Sequence, residues 1–192
     1  MGGGLILALF LLAGAQTLAT MAVYTLPVLI AYAAPDYGMP RASIGYQVGL
    51  VYFCAVFASA YGPRWLALWG PARTTQIALA SAGVGLVLLS LVQTGLAIVA
   101  SILIGLAYGM TNPAASQLLG KLAPASRRNM VFGLKQMGVP FGVALAGLML
   151  PGTAEIMGWR NATAMMNSRL AAISVALRHP MISAVPGSIR PA

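Results

Sequence analysis

The chain has 192 residues, of which 59% are hydrophobic and only 7% charged, and its mean hydropathy is +0.86. Globular domains carry about 25% charged residues, so a soluble fold is excluded and the sequence specifies an all-α polytopic membrane protein whose first partner is the lipid bilayer. The net charge of +9 comes from eleven Lys and Arg dispersed between apolar runs, without the basic patch and interleaved aromatics of a nucleic-acid binder. One Cys, one His and two acids exist in all, which offers no disulfide, no metal-ligand cluster and no cofactor site.

Residues 4–33 carry no charge, more than the roughly 20 residues needed to cross about 30 Å of hydrocarbon. They read as the first span rather than a secretory signal, since no basic region precedes them. Within it Gln16, Thr20 and Tyr24 recur every four residues, on one helical stripe with Pro27. Such a stripe faces protein or water: either ordinary interhelical hydrogen bonds or the wall of an aqueous cavity.

A turn-rich loop, Pro35 to Arg41, leads to a second span over 44–61, closed by Gly62-Pro63-Arg64. Trp65, Trp69 and Arg73 mark an interface, and a third span follows over 75–91. The fourth, 96–119, holds a small-xxx-small pair, Gly105 and Gly109, and a polar series four residues apart, Tyr108, Asn112 and Ser116. Pro113 removes a backbone donor beside that series, which makes the kink either substrate-facing or satisfied by neighbouring helices.

The basic loop Lys121 to Arg128 precedes a fifth span over 131–150, in which Gly138, Gly142 and Ala146 lie on one face. A small-residue stripe lets two helices approach closely where lipid supplies little hydrophobic drive. Lys135 and Gln136 stand just before the stripe. A cation in a membrane segment is a functional candidate, with snorkelling of its amine to the headgroups as the alternative. Arg64, Arg73, Lys121, Arg127 and Arg128 fall in two loops on one side, against Arg41 on the other before Arg160. The positive-inside rule then puts the N-terminus in the cytoplasm.

After Trp159-Arg160 the character changes. Residues 161–192 contain Arg169, Arg178, His179 and Arg190 and no uncharged run of spanning length. The sequence predicts a five-span half-bundle over 1–160 and a non-spanning tail over 161–192, either a surface helix near 165–177 or disordered. The abrupt shift leads to the expectation of a truncated or frame-shifted product with a non-native tail.

From about residue 5 to 160 the pattern resembles the N-terminal half of a major facilitator superfamily transporter. Asn112-Pro113, the run Lys135-Gln136-x-Gly138-x-Pro140-x-Gly142 and Gly158-Trp159-Arg160 carry the resemblance. In the loop between the second and third spans Gly70 and Arg73 fit, but Ala67 and Leu68 stand where the family has an Asp-Arg pair, and the antiporter signature of the fifth helix is absent. The resemblance implies a multi-pass permease of the cell (inner or plasma) membrane, working by alternating access between two six-helix halves. The second half is then supplied by a missing partner segment or by self-association.

The cavity candidates are therefore Gln16, Thr20, Tyr24, Tyr108, Asn112, Lys135 and Gln136, with Gly105, Gly109, Gly138 and Gly142 as packing residues. Lys135 favours an anionic small-molecule substrate, because a buried cation needs a counter-charge. The competing function is a non-transporting helical scaffold. An enzyme is the third and weakest reading, since the sequence offers no paired nucleophile and base.

Overall fold

The computed structural model describes residues 3–177, and the predicted tail from Arg178 onward, with His179 and Arg190, lies outside the described residues. Six α-helices make up the bundle: α1 (Gly3–Tyr37), α2 (Ile44–Ser90), α3 (Thr94–Leu122), α4 (Arg128–Gln136), α5 (Gly138–Met157) and α6 (Trp159–Ala176). Among the described residues, four stretches are long and apolar enough to cross a membrane, Gly3–Tyr37, Arg41–Ser90, Thr94–Leu122 and Ala125–Met157.

The second of these stretches is a hairpin. Gly70 interrupts α2 with φ 73° and ψ 164°, a backbone conformation open essentially only to glycine. Pro71 then opens the second arm, where its missing N–H has no partner to lose. Gly105 lies against Val51 and Cys54, Gly109 against Ala55 and Ala58, and Pro113 against Gly62, so α3 runs parallel to the first arm. A short turn at 91–93 brings α3 back beside the second arm, where Gly85 meets Ala100 and Ile104. The arms are therefore antiparallel, about 39 and 30 Å long at 1.5 Å per residue. The chain does not turn at Gly62-Pro63-Arg64, as the sequence predicts; the helix runs through Pro63 and reverses at Gly70.

The predicted fifth span is broken. Pro140 cannot donate to the carbonyl of Gln136, and α4 ends there, with Met137 joining it to α5. Small residues then set the packing of α5: Gly138 lies against the Ala13 carbonyl and Gln16, Gly142 against Thr17 and Thr20, and Ala146, Leu150 and Ala154 continue the buried face at intervals of four. This register makes α5 parallel to α1.

Gly158, at φ 83° and ψ 150°, reverses the chain again in one residue. The change of character after Arg160 falls inside the helix that follows, and that helix belongs to the bundle. Trp159, Ala162, Thr163, Met166 and Leu170 form its buried side. Its start is tied to α1 through Asp36, which accepts a hydrogen bond from Trp159 Nε1 at 2.9 Å and faces Arg160 at 3.6 Å. Ile173 reaches Gly14 near the other end of α1, and Asn167 meets Gly83 on the second arm. Six helical segments thus alternate in direction: α1, the two arms of α2, α3, α4 with α5, and α6.

Hydroxyls inside the bundle are satisfied locally. Thr17, Thr20, Thr25, Thr75 and Ser101 donate to the carbonyl four residues back in their own helix, as such residues do where no water is at hand. Two other serines bridge helices: Ser59 donates to the Gly109 carbonyl at 2.9 Å and Ser81 to the Leu103 carbonyl at 3.0 Å.

Candidate functional site

The break between α4 and α5 positions the central feature. Lys135 is in the last turn of α4, where carbonyl dipoles favour a cation. Glycines 138 and 142, one and two turns further on, draw this segment close to α1. The Lys135 side chain therefore points inward and is only 2% exposed, so its amine does not snorkel to the surface. Nζ donates to Gln16 Oε1 at 3.1 Å and also to Asn112 Oδ1. Three helices, α1, α3 and α4, meet in this cluster.

Both acceptors are neutral amide oxygens. The only two carboxylates of the sequence are engaged far away: Asp36 with Trp159 and Arg160, and Glu155 accepting from the Tyr32 hydroxyl at 2.9 Å. Measured along α1, Tyr32 and Asp36 stand sixteen and twenty residues past Gln16, about 24 and 30 Å. The Gln16 side chain is fully buried, and its Nε2 has no hydrogen-bond partner.

An aromatic group adjoins the cluster. Tyr24 and Tyr52 place their hydroxyls 3.4 Å apart, and the Tyr52 and Tyr108 rings meet edge to face with centroids 6.0 Å apart. Tyr108 precedes Asn112 by one turn of α3, and Tyr24 follows Gln16 by two turns of α1. The backbone positions of Tyr108 and Tyr24 therefore lie about 6 Å from Asn112 and about 12 Å from Gln16 along their helix axes.

Of the residues singled out from sequence, Gln16, Asn112 and Lys135 come together, with Tyr24 and Tyr108 beside them. Thr20 does not present a free hydroxyl: it donates to the Gln16 backbone carbonyl, and its Cβ packs on Gly142. Gln136 is exposed, turned about 100° around α4 from the buried Lys135. Tyr52 was missed by sequence reasoning, because its one signal is an aromatic hydroxyl in a run rich in aromatic residues. Gly105 and Gly109 lie against the first arm of α2, as Gly138 and Gly142 lie against α1.

Alternating apolar helices, a cation buried among neutral amides and close glycine contacts define a multi-pass α-helical membrane protein with an internal polar cluster. The chain belongs to the Major Facilitator Superfamily, whose family model matches residues 12–179, including the whole of α6. This is a family of secondary transporters rather than enzymes. No curated protein matches the chain.

Proposed function

We propose that this bundle is one wall of an alternating-access carrier for small solutes, with the Gln16, Asn112 and Lys135 cluster and the flanking tyrosines as its substrate-binding face. The observation that carries this reading is the burial of Lys135 among groups from three separate helices. Ionisable groups inside membrane bundles are costly, and they mark substrate and ion pathways. The opposite wall is a second bundle of the same kind, on this or another chain, against which this one rocks.

In this reading α6 is the sixth crossing. Its length of about 27 Å, its direction opposite to α5 and its buried stripe support that role. The N-terminus lies in the cytoplasm. The alternation of directions gathers Arg64, Arg73, Lys121, Arg127 and Arg128 at the end of the bundle where α1 begins, and this excess of cations supports the orientation.

Flux tests the proposal. Proteoliposomes containing the full chain are expected to take up at least one member of a set of labelled small carboxylates, amines, sugars and amino acids saturably. Asn112→Leu is expected to slow that uptake about tenfold or more, the effect of removing one buried polar contact to a charged group. A stably self-associated chain with no saturable flux for any of these solutes would identify the scaffold function instead.

A further inference from the structure

We infer that Lys135 and the free amide of Gln16 form the headgroup site for a small organic monocarboxylate, whose organic part lies among Tyr24, Tyr52 and Tyr108. The inference rests on the proposed carrier reading and names the substrate class of that same site.

A donor inventory carries it. An ammonium has three N–H donors and no acceptor; Gln16 Oε1 and Asn112 Oδ1 take two of Lys135's, leaving one. The Gln16 amide has two more donors, and none is used. Gln16 cannot be turned over to cure this, since its oxygen already accepts from Lys135. The site therefore presents unspent donors from two residues and no unspent charged acceptor. A carboxylate is acceptor-only, with two oxygens held apart at a fixed spacing, and it matches donors arriving from two directions.

Charge fixes the valence. Neutral amides satisfy the geometry of Lys135 but not its charge, and a buried charge without a partner is strongly unfavourable. No acid of this chain is near it: Asp36 and Glu155 are held at the far end of α1. One negative charge neutralises the site. A dianion leaves a buried excess of one, and a cationic solute meets repulsion. The three rings, with Tyr108 one turn from Asn112, Tyr24 two turns from Gln16 and Tyr52 in contact with both, suit the apolar remainder of an organic anion.

The test uses the full chain in mild detergent and follows its thermal unfolding midpoint with sodium benzoate, with neutral benzamide of the same shape, and with sodium chloride. Benzoate is expected to raise the midpoint by about 5 °C or more near saturation, with benzamide and chloride giving less than a quarter of that shift. Gln16→Glu is the decisive variant. It keeps the side-chain length, brings a counter-charge to Lys135 and removes the free amide, so it is expected to raise the midpoint without ligand and to abolish the benzoate shift. Lys135→Met is expected to abolish that shift as well.

An equal response to benzamide, a response to chloride alone, or a benzoate shift that survives in Gln16→Glu overturns the inference. Failure of the carrier reading looks different: the benzoate shift is present and variant-sensitive, but proteoliposomes show no flux. Saturable flux that Gln16→Glu leaves intact has the opposite meaning, a carrier whose substrate is not held at this pair.

Discussion

Ser59 on the first arm of α2 donates its hydroxyl to the carbonyl of Gly109, the acceptor in α3 that Pro113 leaves without its helical N–H. A proline inside a helix strips the carbonyl four residues earlier of its donor, and in lipid no water replaces it. The neighbouring helix supplies the missing bond. This contact satisfies the α3 backbone one turn before Pro113, next to Asn112, which is the residue that accepts from Lys135.

The pairing is testable as a thermodynamic cycle. Ser59→Ala is expected to destabilise the folded bundle by about 0.6–1.7 kcal/mol, the range of interhelical hydrogen bonds in membranes. In a Pro113→Ala background the helical donor returns, and the same Ser59→Ala change is expected to cost much less. Reversible unfolding in detergent of the four proteins gives the coupling; equal losses in both backgrounds would contradict the assignment.

Close glycine contacts make a second prediction. A Cβ on Gly109 overlaps the Ala55 carbonyl and comes within 2.7 Å of the Ala58 side chain, whereas one on Gly147 meets nothing within 4 Å. Gly109→Ala is expected to destabilise by about 1–3 kcal/mol. Gly147→Ala is expected to be neutral or to stabilise by up to about 1 kcal/mol through helix propensity. The difference between the two unfolding midpoints is the readout.

At the junction of α1 with α6, Asp36 serves both Trp159 and Arg160. The ion pair is well exposed, at 57% and 42% for the two side chains, so screening leaves it worth less than about 1 kcal/mol. The indole bond is better shielded. Asp36→Asn keeps an acceptor for Trp159 and is expected to change stability by less than about 1 kcal/mol, while Asp36→Ala costs about 1 kcal/mol more because a part-buried donor is orphaned. Equal losses for Asn and Ala would show that the charge facing Arg160, and not the acceptor for Trp159, dominates.

Val92, between α2 and α3, adopts φ 56°. A β-branched residue is strained there by about 1–2 kcal/mol. Val92→Gly removes the strain at some loss of packing, so a net stabilisation of up to about 1 kcal/mol is expected. Val92→Ile, which keeps the branch, is expected to give none. Unfolding midpoints of the two variants check this.

Hydropathy alone made the helical spans legible, because lipid demands long apolar runs with every backbone group satisfied. Their ends were less legible. Gly62-Pro63-Arg64 has the composition of a turn, yet α2 continues through it to Gly70, since membrane helices tolerate proline where neighbours can re-satisfy the backbone. The helix from Trp159 was hidden for a different reason: Arg160 and Arg169 break every uncharged run, and Asn161 and Asn167 lower the hydropathy between them. Its signal was periodicity, with Trp159, Ala162, Met166, Leu170, Ile173 and Leu177 at intervals of three and four. In the site, Gln16, Asn112 and Lys135 stood out as polar groups in apolar runs. Their meeting depends on the glycine contacts that set the spacing between helices, and no single segment carries that information.

The reversals at Gly70 and Gly158 share nearly the same backbone angles, and each joins the second and third members of a run of three segments. The first run, α1 and the two arms of α2, starts in one direction; the second, α3, α4 with α5, and α6, starts in the other. The bundle is thus two trios of opposite starting direction, each with a glycine reversal at the same place in its order. Gln16 belongs to one trio, Asn112 and Lys135 to the other. The hydrogen bond from Lys135 to Gln16 crosses the seam, so a small slide of one trio past the other breaks that contact while Lys135 and Asn112 travel together.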